Sequence, residues 1–161
     1  MTKIVLIGNI SDLNLIQQEI LNKDTKIFSF NLKVHHELQH RKIKHEIADN
    51  LLNQEERLQL FDKGLEFLSW YSKTPSDNLE FEGVNLLKLF DSHEFHSYLM
   101  PNLVNFIIIK RIVEKEKPTK IITTSLFSDM VQSITKGSNI ETEFFQNKIE
   151  KKLLWDRITI K

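Results

Sequence analysis

His36-Glu37-Leu38-Gln39-His40 is the stretch of this chain whose residue types and spacing come nearest to a known catalytic pattern. On a helix, residues four apart share a stripe, so His36 and His40 would present two imidazoles one turn apart. In the H-E-x-x-H arrangement of zinc hydrolases such histidines hold the metal, and the intervening glutamate acts as general base. The pattern is short, however, and two of its positions accept any residue. The following RKIKHEIAD brings no downstream third-ligand motif, and Glu46 alone is near enough in sequence to serve. The expectation is therefore a solvated or interface-facing helix with no metal, and a zinc-dependent hydrolase stands as the remote alternative.

A second cluster is Asp91-Ser92-His93-Glu94-Phe95-His96. His93 and His96 share a helical face, and imidazole exchanges protons near neutral pH, which makes both candidate catalytic bases. The competing reading is that they bridge a buried face and its solvated margin.

The third constellation lies at the ends of two predicted strands. In KIVLIGNISD, Ile4 to Ile7 form an uninterrupted apolar run that predicts a central strand covered on both faces. Gly8 ends it, and Ser11 can cap a helix that Leu13, Ile16, Ile20 and Leu21 continue at helical spacing. Lys120 to Thr124 predicts another strand, followed by Ser125 and a helix through Leu126, Phe127, Met130, Val131 and Ile134. Gly8, Asn9 and Ser11 at one strand end, with Thr124 and Ser125 at the other, are candidate contacts for a substrate or its phosphate. Capping is the competing role for Ser125. Neither end carries a dinucleotide fingerprint, because Gly8 stands alone where G-x-G-x-x-G needs three glycines, and no Walker A lysine loop is present.

The elements that must position these groups follow from periodicity. Lys26 to Phe30 is a short strand, so the chain opens with one βαβ unit and a parallel strand pair. The polar run from Leu32 onward, holding His35, His36, His40 and His45, reads as helical. Leu58, Phe61, Leu65 and Leu68 give one face of a further helix, which Leu60, Phe67 and Tyr71 widen into an element covered on more than one side. Gly64 allows a close crossing within it. Leu79, Phe81 and Val84 alternate around Gly83 as a small hairpin or a loop anchor, and a helix resumes through Leu86 to Phe90. Pro101 suits the first turn of a long crossover helix ending at EKEKP. Ile140 to Phe145 predicts a fourth strand, with a capped helix as its alternative, and the tail predicts a helix over 147–154 and a strand over 155–160. Together these predict a single α/β domain over 1–161, Rossmann-like and three-layered. Its sheet is short and mainly parallel, with a large helical insertion between the second and third strands.

Composition narrows the function classes. The 161 residues are 40% hydrophobic, enough for one sizeable core. Basic and acidic residues balance at 22 each, which argues against nucleic acid as a partner. There is no cysteine, so disulfides and thiol chemistry are excluded. The longest apolar stretch, Phe106 to Ile109, is far too short to span a bilayer. A cytoplasmic protein is expected, with peripheral association at the inner face of the membrane as an option.

A predicted strand running up to Lys161 without a closing turn suggests the amino-terminal half of a longer, two-domain chain. The strand KIVLIG, the insertion containing FLSWYSK, the GVNLLKLF segment, the helix before EKEKPTKIITT and the terminal LLWDRITIK together resemble the amino-terminal domain of a surface-carbohydrate biosynthesis protein. Such proteins are similar to glycosyl or glycerophosphate transferases of the GT-B type. The resemblance implies a Rossmann-like half that binds a carbohydrate or polyol-phosphate acceptor and faces a carboxyl-terminal partner domain. That second half would carry the nucleotide-activated donor, so no cofactor is expected in the present residues. The alternative is a noncatalytic interaction or regulatory domain, homo-oligomeric in its simplest form, with Trp70, Tyr71 and Phe95 as aromatic anchors.

Overall fold

The computed structural model describes residues 2–17, 24–68, 80–85 and 92–145. Its centre is β1 (Lys3–Ile7), flanked by β2 (Thr25–Ser29) and, much later in the chain, β6 (Lys120–Thr124). Two short outer strands, β3 (Glu46–Ile47) and β7 (Glu141–Phe145), complete a five-stranded, all-parallel sheet in the order β3-β2-β1-β6-β7. The fold is a small Rossmann-like α/β domain carrying a helical insertion.

The pleat explains why β1 is apolar throughout. Successive side chains point to opposite faces, and Ile4, Val5, Leu6 and Ile7 are all at most 1% exposed, so both faces of the strand are covered. On one face Val5, Ile7, Ile27 and Ile122 pack with Leu13 and Ile16, which follow β1, and with Val34 and Leu38 of α2 (Leu32–His40). Helix α1 (Asp12–Leu15) is a single turn. The side chain of Asn31 accepts from the Lys33 N–H and starts α2.

Helix α2 ends without glycine. Arg41 is its C-cap, and Lys42 takes φ 56°, the left-handed conformation that favours glycine. The Ile43 N–H reaches the Leu38 carbonyl at 2.9 Å and the Lys42 N–H reaches that of Gln39 at 3.0 Å, the two bonds of a Schellman motif. Ile43 also packs against the cluster containing Leu38, the apolar contact that accompanies such an end. The polar run expected to be helical thus stops at His40, and its remainder turns into β3, which pairs with Phe28 and Ser29. The insertion accordingly follows a third strand that sequence reading did not anticipate.

The chain forms two compact units, Met1–Leu51 with Ile108–Lys161, and Leu52–Ile107. In the second unit, α3 (Gln54–Leu68) precedes a hairpin of β4 (Glu80–Phe81) and β5 (Val84–Asn85), as the alternation around Gly83 suggested. Gly64 does serve a close crossing, since a Cβ there would collide with Met100 Sδ. Expectation fails on the covering of α3: Leu58, Phe61, Leu65 and Phe67 all remain substantially exposed.

Helix α4 (Ser92–Glu116) is continuous and contains Pro101, instead of starting there. Proline removes one N–H from the helical ladder, and the Asn102 side chain donates to the Tyr98 carbonyl at 2.7 Å on the preceding turn. The helix stops where Lys117 adopts φ 44° before Pro118. After β6, a 3-10 turn (Ser125–Phe127) leads into α5 (Ser128–Thr135). Ile20, Leu21, Trp70, Tyr71, the 86–90 helix and the tail elements over 147–160 lie outside the described residues.

Candidate functional site at the β1–β6 switch point

The strand order places a topological switch between β1 and β6. From β1 the chain proceeds to β2 on one side, and β6 leads to β7 on the other. The loops leaving the carboxyl ends of these neighbours diverge, which is where open α/β sheets hold ligands. All five residues singled out as contacts, Gly8, Asn9, Ser11, Thr124 and Ser125, lie on these two loops or at the strand ends feeding them.

Their environments differ. Asn9, Ser11 and Ser125 are exposed, whereas Gly8 and Thr124 are buried. A Cβ on Gly8 would collide with Leu126 Cδ2 and lie 3.0 Å from Phe127 Cζ, so glycine lets the turn after β6 close over the end of β1. Phe127 is buried, and its ring stands 4.6 Å from that of Phe30, beyond the end of β2. Ile10 and Leu126 remain about half exposed on the same loops.

Thr124 does not present its hydroxyl outward. It donates to Asp12 Oδ2 at 3.0 Å, and the Asn9 N–H donates to the same oxygen at 3.0 Å. Asp12 is buried, so one carboxylate fastens the loop after β1 to the last residue of β6. Ser11 makes no side-chain cap bond, and Asp12 reaches back to Asn9 in its place. Sequence reading passed over Asp12. Its available signal was position: an acidic residue opening the helix four residues after the glycine that ends β1.

The H-E-L-Q-H residues lie on α2 as predicted, with His36 and His40 both exposed. The Glu37 carboxylate accepts from Arg41 Nε at 2.7 Å, an i,i+4 pair that turns it along the helix surface. Among the described residues, no group of three or more His, Asp or Glu side chains converges to hold a metal.

His93 and His96 both belong to α4. The His96 ring meets Phe61 edge-on, with centroids 5.1 Å apart, and its Nε2 is enclosed with no hydrogen-bond partner among the described residues. That surrounding is one of packing between α3 and α4. The side chain of His93 lies outside the described part.

Another histidine pair was missed. His35 Nδ1 lies 2.7 Å from His45 Nε2, and His45 Nδ1 lies 2.7 Å from the Ile43 carbonyl. Desolvation, with the neighbouring His45 and His36 adding to it, pushes the His35 imidazole below its ordinary value of 6.5. The ten-residue separation of this pair is bridged by the glycine-free end of α2, which no spacing rule reveals.

No family model, curated protein or solved structure matches this chain.

Proposed function

We propose that this chain is the acceptor-side half of a cytoplasmic transferase of the GT-B kind, acting in surface-polysaccharide synthesis. The observation that carries this reading is the switch point itself, a parallel 3-2-1-6-7 sheet with exposed Asn9, Ser11 and Ser125 on the two diverging loops. These groups offer hydrogen bonds to the hydroxyls of a sugar or polyol, and Ile10 and Leu126 offer apolar surface to a ring or to the facing half. The Asp12–Thr124 bond holds the two walls in register, which is the positioning that group transfer requires. Stabilisation of the departing phosphate falls to the donor half with its nucleotide-activated sugar or polyol, and the present residues alone are inactive.

The test is an amide-resonance titration with short poly(glycerol phosphate) oligomers and with neutral oligosaccharides. Saturable shifts at Asn9 to Asp12 and Thr124 to Ser128 support the acceptor reading. Shifts confined to other parts of the chain, or none, remove it.

A second reading, a protein-interaction role, is favoured by α3, where Leu58, Phe61 and Leu65 share a helical face and stay about half exposed. Phe95 is a weaker anchor than expected, since it stacks on Phe67 with ring centroids 6.1 Å apart. Light scattering on a concentrated sample tests self-association, and a monomer that Leu58→Lys leaves unaltered counts against it.

A further inference from the structure

A cleft of about 610 Å³ lies beside β3, the outer strand two places from β1 in the sheet. Small-molecule sites fall in the range of about 300–1,000 Å³. His35, Lys42, Lys44 and His45 line it. We propose that this cleft binds the phosphate group of a small phosphorylated metabolite, and that binding is coupled to the uptake of one proton by the His35–His45 pair.

The coupling follows from hydrogen-bond bookkeeping. The Ile43 carbonyl can only accept, so His45 Nδ1 carries the hydrogen at that 2.7 Å contact. In a neutral ring this leaves His45 Nε2 as an acceptor, and His35 Nδ1 must donate to it across 2.7 Å. The pair therefore keeps a single nitrogen open to a further proton, His35 Nε2. Protonating His45 Nε2 instead would set two N–H groups against each other.

With His35 neutral, this residue of the cleft lining holds a lone pair that repels an anion. With His35 protonated, the same nitrogen becomes a charged donor, in a lining that also includes Lys42 and Lys44. Glu46 also lines the cleft and opposes the anion, although Lys26 stands 4.0 Å from its carboxylate. Nearby in the chain stand the exposed His36, its ring 5.4 Å from that of His35, the Glu37–Arg41 ion pair, the exposed His40, and Asp49 in the 3-10 turn (Ala48–Leu51). The carboxyl end of α2 would ordinarily disfavour an anion, but the Glu37, Leu38 and Gln39 carbonyls already accept from Arg41, Ile43 and Lys42. Phosphate suits the site better than a carboxylate, because it offers three acceptor oxygens and its second proton leaves at about pH 6, where imidazole also titrates.

Lys42, which holds the left-handed end of the Schellman motif after α2, is itself one of the residues lining the cleft.

The experiment is a resonance titration of the whole chain with inorganic phosphate, and with sulfate as a dianion of constant charge. Saturable shifts are expected at His35, Lys42 and Lys44. Sulfate should bind roughly fivefold or more tightly at about pH 5.5 than at about pH 7.5, the span over which imidazole titrates. His35→Gln should remove that pH dependence. Lys42→Gly, which suits the backbone, should raise the melting temperature by a few degrees yet weaken phosphate binding several-fold. The proposal is overturned by phosphate that produces no saturable shift in the cleft, or by an affinity that Lys42→Gly, Lys44→Ala and His35→Gln all leave unchanged. Because the resonances concerned are remote in sequence from Asn9 and Ser125, failure here is distinct from failure at the switch point.

Discussion

The hydroxyl of Thr124 and the carboxylate of Asp12, 112 positions apart in sequence, meet in a buried hydrogen bond of 3.0 Å. Asp12 receives the Asn9 N–H on the same oxygen, so removing the threonine donor leaves a buried carboxylate under-satisfied. Thr124→Val, nearly the same shape, is expected to destabilise the chain by about 1–3 kcal/mol. Urea unfolding measures it, and Thr124→Ser should retain most of the lost stability. Equal losses in the two variants would point to the methyl group instead of the hydrogen bond.

Gly8 makes a different demand, for space. Leu126 is exposed and can swing away from an added methyl, but Phe127 is buried against Phe30 and cannot. Gly8→Ala should therefore cost about 1–3 kcal/mol, the usual range for overpacking. Adding Leu126→Ala should recover only part of it. Full recovery in the double variant would show that Phe127 yields more readily than its burial implies.

The pH response of stability has a definite sign at His35. Because its imidazole is held below 6.5, the unfolded chain takes up this proton at a higher pH than the folded one does. The contribution is present in full above about pH 6.5 and is lost as pH falls through that value toward the lower folded one. His35→Gln should flatten this limb of a stability profile measured without phosphate or sulfate. A profile that keeps its slope in the variant assigns the effect to other groups.

Lys120 is raised above its ordinary value by hydrogen bonds to Glu141 and Glu143, each 2.8 Å away. The lysine sits on β6 and both glutamates on β7, so the trio clamps an outer strand by charge. Exposed pairs of this kind are screened by salt. Lys120→Met should lower the melting temperature at low ionic strength and have little effect at about 1 M salt, where the screening length falls to about 3 Å. Equal losses under both conditions would mean that packing of the lysine stem carries the effect.

What the sequence disclosed depended on the range of the interaction. The apolar run of β1, the βαβ opening, β6 with its helix, β7 and the β4–β5 hairpin all follow from local composition, and all are present. β3 escaped notice because two residues have no period to detect. The end of α2 gave no warning because Lys42 occupies a position whose usual sign is glycine. Pro101 misled for a related reason: a rule about helix starts was applied where the helix runs through. At the switch point, the strand ends were legible but the roles were not. Thr124 and Ser125 are adjacent hydroxyl residues in sequence, and only the fold shows that the first is turned inward to Asp12 while the second is exposed.

The central strand bonds on one side to a segment made early in synthesis and on the other to one made late. Thr123 donates to the Leu6 carbonyl across 117 positions, and the Thr119 N–H meets the Thr2 carbonyl at 2.9 Å. At about 5–20 residues per second, a ribosome needs on the order of ten seconds to deliver β6 after β1 has emerged. Throughout that interval one edge of an apolar strand is open to the wrong partner, the condition under which nascent chains aggregate. A central strand that waits this long for its second neighbour is expected to make the chain depend on chaperones during translation.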